Sequence, residues 1–412
     1  MSFSQGLSGL NAASQALDVV GNNIANSQTV GFKSGSIAFA DVFAGSQIGM
    51  GVQVSSVNQN FSDGVLGMGN SDLDMGIQGN GFFRLTNDAG GVFYSRNGQF
   101  KQDENGYIIN NQGMFLTGYQ ATGNPPSIQP GAAVGPIQIP TGQMPARASD
   151  AGTLKGNLNS ETEAIDQSAP PVGHPFDPAD NKSYNSVTQV DAYDSLGNKH
   201  TVNVYYVKTG DNTWKAYSSD TTSPNLNGTG DPVYGEMDLT FDTAGQLTSN
   251  PTTLNIQGAA YNGGAPLNFD LDLDGMTQQA SDTDMGSPTT TGYAPGLMNG
   301  YVVGDNGQII ASYSNGQSQL LGQVVLSNFT NPGGLTSKGD NTWSETPESG
   351  QPSTGIAGTG NLGKLLGNRL EASNVDLSKE MVNMIVYQRN YQSNSQTIKT
   401  QSELLQILAN LG

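Results

Sequence analysis

Cysteine is absent from the 412 residues. Its absence excludes disulfide staples, thiolate metal sites and cysteine nucleophiles together. Charge is scarce as well: Asp, Glu, Lys and Arg make up 12% of the chain, about half the usual share. Histidine occurs only twice, at His174 and His200, so a Ser-His-Asp constellation has few possible members. No apolar run approaches the roughly 18 residues that a membrane-spanning helix needs. Nor does one follow the initiator Met1, and Lys33 is the first basic residue. The expectation is therefore no membrane insertion and no cleaved secretory signal.

The charge that is present is mostly negative. Sixteen basic against 35 acidic residues give a net charge of −19, which repels phosphate backbones and anionic bilayers and argues against nucleic acid as a partner. The 55 glycines, together with many Asn, Ser and Thr, favour turns and short strands over helices. At this length more than one domain is expected.

Only the two ends read as helices. From Phe3 an apolar track with 4-3 spacing carries Leu7, Leu10, Leu17 and Ile24, with Ser14 and Gly21 as small gaps. Between Asn368 and Leu411 there is neither Gly nor Pro. Asp376 is placed to cap a helix that carries Leu377, Met384, Tyr391, Ile398 and Leu405 at intervals of seven. That helix would be roughly 50 Å long, too long to be buried in a small domain, and so it needs a partner. Within the chain the N-terminal helix supplies one. The excess length is left for other subunits.

Between the ends, Asn-Gly pairs such as Asn80-Gly81, Asn105-Gly106, Asn262-Gly263 and Asn315-Gly316 predict tight turns of the I′ type. Strands are expected around 81–85, 92–95, 107–110, 114–119, 187–193, 200–207, 267–273, 308–313 and 323–329. Pro-rich loops are expected at 124–145 and 170–178, with glycine-rich hinges near 142–152 and 286–300. The fold class that follows is mainly β and multi-domain, with paired terminal α-helices and β-rich inner and outer domains on a coiled-coil-like helical base. The division expected is 1–70 (helix and extended linker), 71–145 (inner β-domain), 146–284 (outer insertion), 285–359 (inner β-domain, second half) and 360–412 (long helix).

Motifs that suggest chemistry fail on their own terms. Gly358–Lys364 matches most of a phosphate loop, but Leu365 stands where Ser or Thr must hold magnesium, and no buried strand precedes it. Asp270, Asp272, Asp274 and Gly275 imitate a calcium loop, yet Ser281 occupies the position of the bidentate glutamate. The acids also alternate with Phe269, Leu271 and Leu273, as in a strand with one buried face. His174 and His200 read as solvated loop and edge positions. No cofactor, metal or catalytic set is expected. An adhesin would explain the middle but not the heptad-spaced tail, and no feature marks the acid pair that a carbohydrate-active enzyme would need.

Several long segments resemble the axial proteins of the bacterial flagellum. They are Gly9–Ala13, Asn22–Asn26 and Val30–Lys33; Asp74–Leu85 and Tyr94–Tyr119; Phe329–Leu335; and Leu370–Leu377 with Tyr387–Gln392. Within that family the hook type is the nearest likeness, because rod subunits generally lack so large an insertion as 146–284. A distal rod subunit is the alternative. The resemblance implies a non-enzymatic subunit of a curved, flexible tube that couples rod to filament. It implies self-association as a helical homopolymer, and contacts with rod, hook cap and hook-filament junction proteins. It also implies an extracellular place in the hook, reached unfolded through the flagellar type III export apparatus. Leu7, Leu10, Leu17, Ile24, Leu377, Met384, Tyr391, Ile398 and Leu405 are then the expected subunit-assembly residues.

Overall fold

Two helices bracket a chain of short strands, as the glycine distribution dictates. A computed structural model describes residues 3–42, 49–123, 125–129, 131–168, 173–228 and 230–411, with side chains to residue 407. Parts of both expected Pro-rich loops (124, 130 and 170–172) lie outside the described residues. The first helix, α1, spans Phe3–Ala25 and the second, α2, Leu377–Leu411. Asp376 caps α2 as the sequence predicts: its Oδ1 accepts from the backbone N–H of Ser378 at 3.0 Å and of Lys379 at 3.1 Å.

The chain divides into two compact units. The first comprises Met1–Thr141, Asn299–Ser312 and Ser318–Gly412, the second Gly142–Met298 with Tyr313–Gln317.

In the first unit, the strand Ser318–Asn328 pairs antiparallel with Gln308–Tyr313, Phe115–Gln120, Phe82–Thr86 and Ser353–Ile356 in turn along its length. Its burial is continuous from Leu321 to Ser327. An aromatic cluster anchors the sheet. Phe61, Phe82 and Trp343 meet one another edge to face, Phe329 meets Phe82 and Tyr94 meets Phe329, with ring centroids from 4.7 to 5.9 Å apart. Trp343 Nε1 donates to Gln59 Oε1 at 2.6 Å. Burial, and Glu345 beside the hydroxyl, push the Tyr94 phenol up to about 12.

In the second unit a four-stranded antiparallel sheet carries Ser186–Tyr193, Lys199–Gly210, Thr213–Asp220 and Gly235–Thr240 in that order. One face, with Val202, Val204, Tyr206 and Trp214, builds the main core against Leu254, Phe269 and Leu271. On the other, Tyr205 and Tyr217 are covered by Phe176, whose ring stacks on Tyr217 at 4.0 Å. The strand Asn268–Asp272 buries Phe269 and Leu271 while Asp270 stays exposed and Asp272 half-exposed, so these two calcium-like acids lie on the wetter face of a strand, and Asp274 is in the turn that follows.

The turn chemistry differs from the sequence expectation. The recurring device is an Asp or Asn followed three residues later by glycine; Asn105-Gly106 closes one such loop, but with positive φ at the glycine alone and so not as a I′ turn. At Asp103, Asn110, Asp194 and Asp242 the side-chain oxygen accepts from the N–H groups two and four residues on. Gly106, Gly113, Gly197 and Gly245 close each loop with positive φ. Asn262-Gly263 does take positive φ at both residues, and so does Asp340-Asn341, which the sequence pattern did not single out.

Three other sequence features take definite form. The glycine-rich stretches meant as hinges pair with each other, through Met144–Gly296 and Arg147–Tyr293 bridges. Gly358–Lys364 is a hydrogen-bonded loop, closed by Gly358 N–H donating to Gly363 O, and it leads into the strand Lys364–Gly367 instead of a helix. His200 is buried and not the solvated edge position expected, held between two carboxylates: Nδ1 lies 2.5 Å from Asp220 Oδ2, and Nε2 lies 3.8 Å from Asp194 Oδ2. His174 is exposed, as expected, beside Asp180.

Candidate assembly surface

The two terminal helices pack on each other, and small residues make the contact. The buried positions of α1 are Gly6, Ala12, Ala13, Ala16, Val20 and Asn23. A methyl group on Gly6 would lie 3.1 Å from Ile398 Cγ1, and one on Gly9 would lie 2.8 Å from the Asn394 side chain. The helices thus run antiparallel at a separation only small side chains permit. Asn23 ties α1 to the next strand: its Nδ2 donates to Gly35 O at 2.8 Å and its Oδ1 accepts from Gly35 N–H at 2.9 Å. That strand, Gly35–Asp41, forms a hairpin with Val52–Gln59 and lays Phe39 against Tyr387 of α2, centroids 6.4 Å apart. Gly9, Ala12, Phe39, Val52, Tyr387 and Asn394 line a cavity of about 330 Å³ in the crotch between them.

Because small residues take the intrachain face, the large apolar residues are left outward. Of the nine residues singled out in the sequence, Leu7, Leu377, Tyr391 and Leu405 are exposed. Leu10, Leu17, Ile24, Met384 and Ile398 are half-buried, and Ile398 sits against Gly6. The chain itself therefore does not join them into one buried seam. Further exposed apolar residues extend the surface: Phe3 on α1, and Met381, Val382, Ile385, Val386, Leu404 and Ile407 on α2. Phe3 opens the track read from the sequence and Met381 lies between its heptad positions, but sequence reasoning missed Val382, Ile385, Val386, Leu404 and Ile407, because it followed one heptad track on a helix that is apolar on more than one side. It also missed the inner face, whose signal is present as Gly6, Gly9, Ala12, Ala13 and Ala16 at helical spacing.

Inboard of the helices lies a buried charge cluster. Lys33 Nζ is 2.6 Å from Glu371 Oε1, and Arg96 Nη1 is 3.2 Å from Glu371 Oε2, with all three side chains at most 2% exposed. Lys33 also donates to Ser62 O at 2.7 Å, and Arg96 Nη2 to Gly79 O at 2.7 Å. Burial pulls the Lys33 ammonium below the usual lysine range, and the Arg96 charge adds to this while Glu371 opposes both. Among the described residues no cluster of three or more His, Asp or Glu could hold a metal ion, and no helix is long and apolar enough to cross a membrane.

Two packed terminal helices with apolar residues left outward, in a chain otherwise built of short strands, have the features of a structural protein. The comparisons say which. Profiles described as Flagella basal body rod protein, Flagellar hook protein FlgE/F/G D1 domain, Flagellar basal body protein FlaE D2 domain and Flagellar basal body rod FlgEFG protein C-terminal match residues 5–33, 76–156, 157–293 and 367–411. The chain is 49% identical to the Flagellar hook protein FlgE of Escherichia coli K12, over all of both chains. It is 50% identical, again over all of both, to that of Salmonella typhimurium LT2. A crystal structure of Helicobacter pylori flagellar hook protein FlgE2 shares the fold, with a TM-score of 0.54 at 16% identity, covering 74% of this chain and all of that one. The chain belongs to the flagellar hook protein family, as a structural subunit of the hook.

Proposed function

We propose that the subunit polymerises through the outward faces of α1 and α2, forming a curved, flexible tube that couples rod to filament and transmits motor torque. The observation that carries this reading is the division of labour on the helices. Small residues satisfy the intrachain contact, while Leu7, Leu377, Tyr391, Leu405 and their neighbours remain exposed. Exposed apolar surface of this extent marks an interaction site. Leu10, Leu17, Ile24, Met384 and Ile398, already half-covered, border the same seam. A second copy supplies the missing cover, as self-association in this family requires.

The expected five-part division then has a purpose. Segments 1–70 and 360–412 make the tube wall, 71–145 and 285–359 the inner β-layer, and 146–284 the outer one. The subunit acts without enzymatic activity, reaches the cell exterior through the flagellar type III export apparatus, and meets rod, hook cap and hook-filament junction proteins at its ends of the polymer. Electron microscopy of basal bodies from cells lacking the gene tests the assignment. Rods that stop at the outer surface without a curved hook are the expected result. Truncated or missing rods would move the protein to the distal rod, and normal hooks would remove the reading.

A further inference from the structure

Asn-Gly occurs eight times in the chain, and the fold holds one of these pairs differently from the rest. At Asn97, Asn227, Asn306 and Asn315 the side-chain oxygen accepts from a backbone N–H two or four residues on, and the Gly106 N–H donates to Asp103 O. Asn299 and Gly300 lie within the strand Met298–Val303, and Gly81 is buried against Leu326 and Leu362. Asn262-Gly263 instead forms the tip of a turn in the second unit. Gly264 N–H closes that turn on Tyr261 O at 2.8 Å, and φ is +46° at Asn262 and +84° at Gly263. Both residues are exposed, and nothing lies within 4 Å of a carbon added to Gly263. Among the described residues neither the Asn262 side-chain amide nor the Gly263 N–H has a hydrogen-bond partner.

That combination meets the demands of one reaction. An asparagine amide is a carbonyl electrophile, and the next backbone nitrogen attacks it where that nitrogen is free and can rotate into reach. Glycine, having no Cβ, shields the nitrogen least and lets the backbone turn most freely. We propose that Asn262 is a site of spontaneous deamidation in the folded subunit, with the Gly263 nitrogen as nucleophile. This nitrogen bonds to Asn262 Cγ as the Cγ–Nδ2 bond breaks, and the Gly263 amide proton leaves with Nδ2 as ammonia. Solvent water then opens the cyclic imide at either carbonyl. One opening gives aspartate; the other gives isoaspartate, whose backbone runs through the side chain and is one carbon longer. Either product adds a negative charge to a chain already at −19. The isoaspartate does more, because of what the turn is tied to. Tyr261 O accepts from Asn198 Nδ2 at 3.3 Å, Ala265 N–H donates to Ser195 Oγ at 3.0 Å, and the Tyr261 ring meets buried His200 edge to face at 5.8 Å. A longer backbone between Tyr261 and Ala265 spreads those anchors apart and loosens the turn from residues 194–198.

Peptide mapping of the full-length chain tests this. The folded protein is aged in mildly alkaline buffer made with heavy-oxygen water, which marks each imide that hydrolyses. Pepsin digestion in acid then stops the reaction, and mass spectrometry locates the label. Label should collect at residue 262 at least about tenfold faster than at any other Asn-Gly pair, a ratio that corresponds to about 1.4 kcal/mol of barrier. In urea the preference should vanish, because only the fold distinguishes the pairs. Asn262→Gln, whose longer side chain has to close a larger ring, should remove the label at 262 and leave the other sites as they were. In the aged parent, amide hydrogen exchange at Leu196 and Asn198, which donate to Asp194 Oδ1, should be faster than in Asn262→Gln aged alongside it. Label at 262 no faster than elsewhere in the folded protein would overturn the proposal, and so would an equal preference for 262 in urea. Unchanged exchange at 196 and 198 in protein that carries isoaspartate would overturn the effect on the turn.

Discussion

A subunit carrying Ile385→Asp and Val386→Asp should fold as the parent does and form no hooks. Both residues are about half exposed in the free chain, so the monomer loses little when they become polar. In the polymer each would be covered by a neighbour. Full burial of a Val or Ile side chain stabilises by about 1.5–3 kcal/mol. Only the exposed half of each side chain is left to bury, so the pair forfeits roughly 1.5–3 kcal/mol per subunit contact, before the desolvation of two carboxylates is added. Each 1.4 kcal/mol is tenfold in an equilibrium constant, so the critical concentration for assembly should rise by at least about tenfold. Sedimentation of the polymer against circular dichroism of the monomer measures both halves. Normal polymer from the double variant would show that this face is not a subunit contact.

The second large effect is a loss of stability, and it comes from one glycine. A methyl group on Gly98 would lie 1.6 Å from the Met75 carbonyl oxygen, a distance no repacking of side chains can relieve. Met75 N–H in turn donates to Gly98 O at 2.9 Å, so the two segments cannot separate without breaking their own bond. Gly98→Ala should cost about 3 kcal/mol, the upper end for overpacking. That corresponds to a drop of roughly 6–12 °C in the unfolding midpoint of a unit this size. Gly300→Ala is the control, because nothing lies within 4 Å of the added carbon. Equal midpoints for the two variants, read by differential scanning calorimetry, would mean that the segments at Met75 and Gly98 are not in contact in the folded protein.

How far the sequence could be read depends on the range of the interaction. Strand positions such as 92–95 and 308–313 were legible because alternation and flanking turns are local, and the structure places Val92–Ser95 and Gln308–Tyr313 there. The Asp376 cap was legible for the same reason. What escaped depends on distance. Lys33 and Glu371 stand at opposite ends of the chain, and only folding shows that their charges meet. His200 looked like an edge residue because nothing near it in sequence reveals that it is buried. The helix faces were half-legible. Heptad spacing drew attention to the leucines, but Gly6, Gly9, Ala12 and Ala16 carry the intrachain contact, and small residues register weakly in a hydrophobic pattern.

The claim that α2 keeps one face for its own chain and another for its neighbours is tested most directly by thiol reactivity. Val382→Cys and Leu405→Cys place single thiols on the outward face, at positions 60% and 58% exposed in the free subunit. Leu196→Cys, at a position 57% exposed in the second unit, serves as the reference. Maleimide should label all three at similar rates in the monomer. In assembled hooks, labelling at 382 and 405 should slow by at least about tenfold relative to 196, the factor that corresponds to 1.4 kcal/mol of protection. Unchanged rates at 382 and 405 in intact hooks would place the subunit contacts elsewhere and contradict the account.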